Sequence, residues 1–262
     1  TGDTDVLPVI QDVYEKARRY QVGVDSTGTP RYCTNFINDY YDDEGWWALA
    51  WIEASKLTGE KKYLDMAEVI FDDMTTGWSE ECGGGIFWKK NPLHYKNSIA
   101  NNLFSLTAIR LYKATQNPSY LDWFKKNVAW YMQTGMINTD IYQIEDGTGK
   151  DCTPNRDAHY TYNQGVAIAV LTEMYLVTND NSYLELAGKI ADATITTRLV
   201  TDEGILREMK PAIEDGNDGV QFKGIFIRHL AFLYEVTKNP AYKDFIIKNA
   251  ESILSKDYDP AS

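Results

Sequence analysis

The sequence predicts an all-α fold, an (α/α)6 toroid or barrel built of helical hairpins, and a repeat is the main evidence. The chain has 262 residues, enough for one large domain with a sizeable core. A short segment that begins with Thr recurs five times, at starts that lie 57, 57, 63 and 59 residues apart. The five segments are residues 1–7, 58–64, 115–121, 178–184 and 237–243.

Each repeated segment has the composition of a tight turn between two helices. Gly or Asn ends the first helix, and Pro or a small polar residue begins the second. The helices after the turns are amphipathic, whereas those before them, at residues 46–52, 166–171 and 225–234, are apolar almost all round. Because a helix without a polar face must be surrounded by protein, the alternation predicts two concentric rings of helices.

Long links join one hairpin to the next, over roughly residues 22–43, 76–96, 134–162 and 200–220. They are rich in Gly, Asp, Asn and Tyr, and long structured loops are more often functional than short turns. Within them, residues 83–88 and 204–206 predict short strands. We therefore expect an active site where these links meet the N-termini of the apolar helices.

Composition excludes several classes of function. A formal charge of −12 argues against a nucleic-acid partner, because such proteins neutralise phosphates with Lys and Arg. The longest apolar runs, about seven residues, are too short to cross a bilayer. No metalloprotease, phosphate-loop, dinucleotide-binding or serine-hydrolase motif is present. By contrast, the 7 Trp and 18 Tyr exceed the needs of a core of this size and indicate aromatic surfaces of the kind that hold sugars.

The three cysteines carry little information about function. Cys33, Cys82 and Cys152 lie far apart, with neither a Cys-x-x-Cys pair nor the Cys/His spacing of a zinc site. Two interpretations remain open. The cysteines are either incidental, buried thiols or one disulfide accompanied by an odd thiol.

The most informative cluster is a pair of adjacent carboxylates, Asp42 and Asp43, at the start of an apolar helix that continues with Trp46 and Trp47. Aspartates at a helix N-terminus can be simple caps, because the unpaired N–H groups there favour anions. Crowded carboxylates, however, raise one another's pKa values, and a pair with split pKa values supplies the nucleophile and general acid of glycoside cleavage. From these residues alone, capping and catalysis remain equal alternatives.

Further polar residues begin the other apolar helices, where helix capping and sugar binding are again both possible. Amides and Tyr hydroxyls near tryptophans suit sugars, which need both donors and acceptors. Of the histidines, His229 is predicted to be a core residue, whereas His94 and His159 lie in links and could contact a substrate. The expected substrate-binding residues are Tyr41, Trp46, Trp88, Asn97, Asn101, Tyr162, Asn163, Gln164 and Lys223.

Five segments together resemble glycoside hydrolase family 76. They are YYDDEGWWALAWIEA (40–54), GGGIFWKK (83–90), YKNSIANNLFSLTAIRLY (95–112), TYNQGVAIAVLTEMY (161–175) and FKGIFIRHLAFLY (222–234). The resemblance covers nearly the whole chain, and its Asp-Asp-x-x-Trp-Trp and Tyr-Asn-Gln-Gly blocks are specific. It implies a retaining endo-α-1,6-mannanase on an (α/α)6 barrel, in which Asp42 is the nucleophile and Asp43 the general acid/base. It implies neither a metal nor another cofactor.

The resemblance also sets expectations for the whole molecule. Residues 1–262 would form a single catalytic domain that binds α-mannan or α-1,6-manno-oligosaccharides. The protein would be a monomer that is secreted, periplasmic or on the cell surface. Nine helices are predicted where the barrel needs twelve, so helices are expected to be lacking at both ends. Two alternatives stay open: a transglycosylase that remodels cell-wall mannan, and a non-catalytic mannan-binding protein.

Overall fold

The structure is a computed structural model that describes residues 5–24, 30–91, 94–156, 159–209 and 218–256. Within these residues it has nine α-helices, as the sequence predicts, and six short strands. The helices are α1 (Val6–Ala17), α2 (Tyr41–Thr58), α3 (Lys61–Thr75), α4 (Ser98–Thr115), α5 (Pro118–Tyr131), α6 (Thr161–Thr178), α7 (Asn181–Thr196), α8 (Gly219–Thr237) and α9 (Pro240–Lys256). The strands are β1 (Arg19–Val24), β2 (Pro30–Thr34), β3 (Lys96–Asn97), β4 (Ile137–Asn138), β5 (Gln143–Ile144) and β6 (Gly147–Thr148).

Four of the five repeated segments are tight turns between consecutive helices, which confirms the predicted hairpins α2–α3, α4–α5, α6–α7 and α8–α9. In each turn the residue that ends the first helix adopts a left-handed conformation. These residues are Gly59, Gln116, Asn179 and Lys238, with φ between 54° and 74°. The first repeated segment begins at Thr1, which lies outside the described residues, as does the acidic tail after residue 256.

The Thr that begins each segment has a constant role. Its hydroxyl donates to the carbonyl four residues earlier, as Thr58 does to Ala54 at 2.8 Å. The same oxygen accepts the N–H two residues later, as it does from Glu60 at 3.1 Å. Thr115, Thr178 and Thr237 repeat both bonds. The hydroxyl thus satisfies backbone groups that the end of a helix leaves unpaired.

The chain divides into two compact units, of which unit 1 comprises residues 1–96 and 103–130. Its core is aromatic. Trp51 on α2 stacks on Tyr63 on α3 with ring centroids 5.6 Å apart, and Phe71 stacks on Phe104 at 4.8 Å. The apolar stripe predicted on α3 is buried, so these rings join α2, α3 and α4 through the faces that the sequence indicates.

Unit 2 comprises residues 97–102 and 131–262, and α6 lies at its centre against α7 and α8. The prediction that helices before the turns are enclosed is confirmed for α6, which is buried almost continuously as far as Met174. Gly165 permits close contact with α8, because a Cβ atom there would lie 2.7 Å from the Cα of Phe226. In α8 the enclosure of the predicted range 225–234 is only partial, since Phe226, Leu230 and Leu233 are buried whereas Arg228 is exposed.

The links contain fewer regular strands at these positions than the sequence predicts. The strands predicted at residues 83–88 and 204–206 are wrong in extent, since each segment makes only a single bridge, between Trp78 and Ile86 and between Val200 and Leu206. The longest strands are instead β1 and β2, which pair in an antiparallel hairpin, and β4 pairs with β5 in the same way. Gly84 and Gly85 have φ values of 143° and 82°, a conformation that interrupts a strand.

The cysteines agree with the interpretation of one disulfide accompanied by an odd thiol. Cys82 and Cys152 are disulfide-bonded, whereas Cys33 is a buried thiol outside the disulfide. Both bonded residues have left-handed backbones, with φ of 56° and 60°, and both lie in the links between hairpins. A local sequence pattern does not reveal such a bond, because the spacing of the cysteines reflects the fold rather than a motif.

Candidate active site

Three consecutive carboxylates occupy the first turn of α2, namely Asp42, Asp43 and Glu44. The N-cap residue is Tyr40, which makes no side-chain cap, so neither aspartate is the N-cap residue. The link after α3 fixes the start of the helix, because the Tyr41 N–H donates to the Trp88 carbonyl at 3.0 Å. The unpaired N–H groups of the first turn favour negative charge at this position.

Asp42 has the environment of a functional carboxyl. Burial, then the neighbouring charge of Asp43, raise its pKa from 3.8 to about 7. A hydrogen bond from the Trp88 side chain, whose only donor is its indole N–H, opposes that rise. The Oδ1 atom of Asp42 is buried and has no hydrogen-bond partner among the described residues. Unsatisfied buried polar atoms are rare in folded proteins and call for an explanation, which a bound ligand would supply.

Asp43 is exposed, unlike its two neighbours. The Asn38 side-chain amide donates to its Oδ2 at 2.8 Å. The amide oxygen of Asn38 accepts the N–H of Tyr40 at 2.7 Å, which orients the amide group toward Asp43. The two aspartates therefore differ both in burial and in donor, although they are adjacent in sequence.

Glu44 points into the protein and is fully buried. Its Oε1 accepts the Asn38 N–H at 3.0 Å and lies 2.7 Å from the Lys90 ammonium, which also pairs with Asp73 near the end of α3. Burial raises the pKa of Glu44 to about 8, and the Lys90 hydrogen bond opposes that rise. Its place in the sequence assigns this carboxyl no role, whereas its contacts indicate that it anchors α2 to α3.

The predicted aromatic residues of unit 1 fall into two groups. Trp46 and Trp88 are half-buried, so part of each ring remains accessible. Trp88 also packs against Tyr40, with ring centroids 5.1 Å apart. Tyr41 is buried and its hydroxyl lies 3.1 Å from the hydroxyl of Thr76, so it has a partner inside the protein. The structure thus brings Trp88, but not the Tyr41 hydroxyl, to the carboxyl of Asp42.

Asn97 and Asn101 lie at the start of α4, and both are buried. The Asn97 side-chain oxygen accepts the Ala100 N–H at 3.2 Å, which is the bond of a helix cap. The Asn101 amide donates to the Asn97 carbonyl at 2.9 Å. These bonds give both residues a role in the start of the helix.

Asn163 and Gln164 at the start of α6 are likewise buried. Gln164 accepts the N–H of Ile144 at 2.8 Å and donates to its carbonyl at 3.1 Å, so it holds strand β5 as another strand would. Asn163 donates to Asp146 at 3.0 Å. The link that contains β5 is therefore fixed to α6 by two side chains that the sequence analysis assigned to a sugar.

An aromatic cluster lies beside the starts of α6 and α8 in unit 2. Tyr162 and Phe222 stack face to face, with ring centroids 3.9 Å apart and an interplanar angle of 6°. Tyr160 packs edge-on against both rings, at 5.8 Å and 5.7 Å. The adjacent Lys223 is exposed. Phe222 was not among the residues expected to bind substrate, and its place beside Lys223 at a helix start is the signal in the sequence that indicates it.

The histidines have partners within the protein. His229 is buried on α8, as predicted. His159 is also buried, and its ring lies 3.1 Å from the carboxylate of Glu145, while burial lowers its pKa. The ring of His94 lies 3.0 Å from the carboxylate of Glu81. The two histidines in the links therefore contribute to loop structure.

The chain is similar in sequence to known proteins. The sequence profile of glycosyl hydrolase family 76 matches residues 1–259. A putative mannan endo-1,6-alpha-mannosidase of Schizosaccharomyces pombe is 28% identical over 249 residues, which cover 89% of this chain and 55% of that protein. The mannan endo-1,6-alpha-mannosidase DFG5 of Candida albicans is 29% identical over 223 residues, or 78% of this chain and 48% of that protein. The chain thus spans about half the length of these curated relatives.

Solved structures show the same fold. The Lin0763 protein of Listeria innocua is 30% identical, with a TM-score of 0.84 over 98% of this chain and 70% of its own. An inactive variant of the α-1,6-mannanase GH76A of Salegentibacter sp. HEL1_6, with two consecutive aspartates replaced by asparagine, is in complex with α-1,6-mannotriose. It is 25% identical, with a TM-score of 0.85 over 100% of this chain and 75% of its own. These likenesses confirm the predicted all-α, (α/α)-barrel fold class. Because the profile covers nearly every residue, the chain belongs to glycosyl hydrolase family 76.

Proposed function

We propose that this protein is a retaining endo-α-1,6-mannanase that hydrolyses the α-1,6-linked mannan backbone at Asp42 and Asp43. The observation that carries the proposal is the split environment of these adjacent carboxyls. Asp42 is held by Trp88 and has an unpartnered oxygen, whereas Asp43 is exposed and held by Asn38. The inactive Salegentibacter variant, which lacks two consecutive aspartates and carries α-1,6-mannotriose, supports the importance of such a pair.

The reaction proceeds in two displacements. Asp42 attacks the anomeric carbon of a mannosyl unit while Asp43 donates its proton to the departing O6, so that the C1–O6 bond breaks and a glycosyl-enzyme ester forms. Asp43, now ionised, removes a proton from a water molecule. The water oxygen bonds to the anomeric carbon and releases Asp42, which restores the original α-configuration.

This reaction requires that Asp42 and Asp43 together carry one proton at the start. Two adjacent carboxylates cannot both ionise easily, because each negative charge disfavours the other. The raised pKa of Asp42, about 7, favours a proton on Asp42 in the free protein, so the proposed roles require that this proton lies on Asp43 when the substrate is bound. The Trp88 hydrogen bond favours the ionised form of Asp42, which is the form that a nucleophile requires.

The accessible aromatic side chains are our candidates for sugar contacts. In unit 1 these are Trp46 and Trp88, which remain half-buried. In unit 2, the Tyr162–Phe222 stack offers an aromatic surface beside the exposed Lys223. Flat rings cover the apolar faces of sugars, and nearby polar groups meet their hydroxyls. The buried Tyr41 of unit 1, and the buried Asn97, Asn101, Asn163 and Gln164 of unit 2, would each support the structure of their own unit.

We further propose that the chain is a single catalytic domain that acts as a monomer on α-mannan outside the cytoplasm. One family profile spans residues 1–259, which supports a single domain. The bonded Cys82 and Cys152 support an oxidising compartment, such as the secreted, periplasmic or cell-surface space. None of the described helices is long and apolar enough to cross a membrane. The net charge of −12 favours a neutral polysaccharide over a nucleic acid as partner.

Product analysis on debranched α-1,6-mannan tests the proposal. Wild type should release manno-oligosaccharides of mixed length, while Asp42→Ala and Asp43→Ala each lose about 10³-fold or more of kcat. Asp122→Ala, which removes an exposed carboxylate on α5, is the control and should keep wild-type turnover. Products longer than the substrate would instead indicate a transglycosylase, and binding without turnover a mannan-binding protein.

Azide distinguishes the roles of the two aspartates. With an activated aryl α-1,6-mannobioside, Asp43→Ala should be rescued by azide to give an α-mannosyl azide, since azide replaces water in the second displacement. Asp42→Ala should give the β-mannosyl azide, because azide takes the place of the nucleophile. The opposite pattern would exchange the two roles, and rescue of neither variant would refute the assignment.

A further inference from the structure

Lys96 is a buried cation that is surrounded by the main chain of one segment, residues 79–88, which we call the Gly loop. Its side chain is 2% exposed. The ammonium donates to the carbonyl oxygens of Ser79 at 2.9 Å, Glu81 at 2.6 Å and Gly84 at 2.5 Å. An ammonium group has three protons, so these three carbonyls use its full capacity to donate.

The surroundings of Lys96 are costly to form. The rings of Phe87 and Trp130 lie 4.9 Å and 5.7 Å from the ammonium, and burial lowers its pKa to about 8. The backbone of the Gly loop has positive φ at four consecutive positions, from Cys82 to Gly85. Gly83, Gly84 and Gly85 adopt positive φ without strain, whereas Cys82 does so only where other contacts enforce it, and here three carbonyls of the loop converge on one cation.

The far end of the Gly loop reaches the candidate active site. The Trp88 carbonyl accepts the Tyr41 N–H at 3.0 Å, and the Trp88 N–H donates to the Tyr95 carbonyl at 2.9 Å. The Trp88 side chain hydrogen-bonds the carboxyl of Asp42. The segment that Lys96 shapes therefore ends at the side chain that holds Asp42.

We propose that Lys96 is a positioning residue, which fixes the Gly loop so that the Trp88 indole meets the carboxyl of Asp42. The proposal rests on the proposed function in so far as Asp42 is catalytic. Lys96 itself touches neither Asp42 nor Asp43 in the described contacts; it acts through the main chain of the loop and through Trp88.

A double-mutant cycle tests whether Lys96 acts through Trp88. Lys96→Met removes the cation at similar length, and Trp88→Phe removes the indole donor. Each should lower kcat on debranched α-1,6-mannan by about tenfold or more, because a displaced catalytic group costs rate steeply. The double variant should be no slower than Trp88→Phe alone. If the two losses multiply, Lys96 does not act through Trp88 and the proposal fails.

A second readout needs no activity. The Asp42 carboxyl can be titrated by ¹³C NMR, with its signal assigned from the Asp42→Asn variant. Lys96→Met should raise the pKa of Asp42 in the same direction as Trp88→Phe, because a hydrogen bond to the charged form is lost. Lys126→Met is the matched control: this exposed lysine lies 4.1 Å above the Trp78 ring, and its loss should leave the titration unchanged.

The outcomes separate the two proposals. An unchanged Asp42 titration in Lys96→Met overturns the positioning role, whether or not the wild type cleaves mannan. If Lys96→Met shifts the Asp42 titration but the wild type is inactive on mannan, the positioning role is kept and the proposed function is refuted. If Lys96→Met does not fold, Lys96→Arg retains the charge, but its planar guanidinium cannot direct three donors as an ammonium does. It should shift the titration in the same direction by a smaller amount, and no shift in this variant overturns the proposal.

Discussion

Replacement of Asp42 by Asn should make the protein more stable than wild type, and increasingly so as the pH rises. In the folded protein, burial and the Asp43 charge raise the pKa of Asp42 from 3.8 to about 7. A group whose pKa is higher in the folded state stabilises the fold below its unfolded pKa, and that contribution is lost as the pH rises through the folded value. The Asn side chain does not titrate, so the variant should escape this loss.

The expected size follows from the two pKa values. They lie roughly three pH units apart, and each unit corresponds to about 1.4 kcal/mol. Ionised Asp42 thus lowers wild-type stability by about 4 kcal/mol at pH 8.5, and roughly half of that loss has occurred by pH 5.5. Between these two pH values, Asp42→Asn should gain about 2 kcal/mol relative to wild type. Glu44, whose pKa is raised to about 8, titrates in both proteins, so its contribution largely cancels in the difference.

Urea unfolding at pH 5.5, 7.0 and 8.5, followed by tryptophan fluorescence and far-ultraviolet circular dichroism, measures this difference. The lowest pH stays above the isoelectric point of about 4.7 to limit precipitation. Asp122→Asn reports the effect of removing one exposed carboxylate. If Asp42→Asn and wild type lose stability in parallel across this range, Asp42 is not the strained, buried carboxyl that we describe. A variant that becomes relatively less stable at high pH would refute the sign of the reasoning.

Two further predictions concern single contacts. Asn38→Ala removes the donor at 2.8 Å from Asp43, so kcat/KM on debranched mannan should fall about tenfold or more, and unchanged kinetics would show that Asp43 needs no such donor. Gly165→Ala should destabilise the fold by about 1–3 kcal/mol in urea, because its Cβ would lie 2.7 Å from the Cα of Phe226. Gly188→Ala is the matched control on α7, where the nearest atom would lie 3.5 Å away and the helix should gain up to about 1 kcal/mol. Equal effects of the two glycine substitutions would refute the close contact between α6 and α8.

The hairpins could be predicted from the sequence because their signals are local. A helix end and the next helix start lie within seven residues, so one short segment contains the whole turn. The residue type at the left-handed position is less informative than expected, since Gln116 and Lys238 adopt it as well as Gly59 and Asn179. The constant element is the preceding Thr, whose hydroxyl bonds backbone groups on both sides.

The site could be predicted only in part, because residue type does not determine a side chain's partner. Asp42 and Asp43 stood out because adjacent carboxylates are costly wherever the chain places them. Gln164 carries the same donors and acceptors for a sugar as for a strand, and only the fold reveals that it meets Ile144. The ammonium of Lys96 meets carbonyls that lie between 12 and 17 residues away, within a loop of irregular backbone. No periodicity in the sequence marks such a contact.

Helical geometry explains how three consecutive carboxyls can serve separate purposes. Successive residues of an α-helix point about 100° apart, so neighbours in sequence face different surroundings. Asp42 faces the Trp88 indole, Asp43 faces Asn38 and solvent, and Glu44 faces Lys90. Removal of Lys90 would leave Glu44 buried without its cation, a defect of folding, whereas removal of Trp88 leaves Asp42 without its donor, a defect of chemistry. The first turn of α2 can therefore anchor the helix through one carboxyl while the other two meet different hydrogen-bond donors only one residue apart.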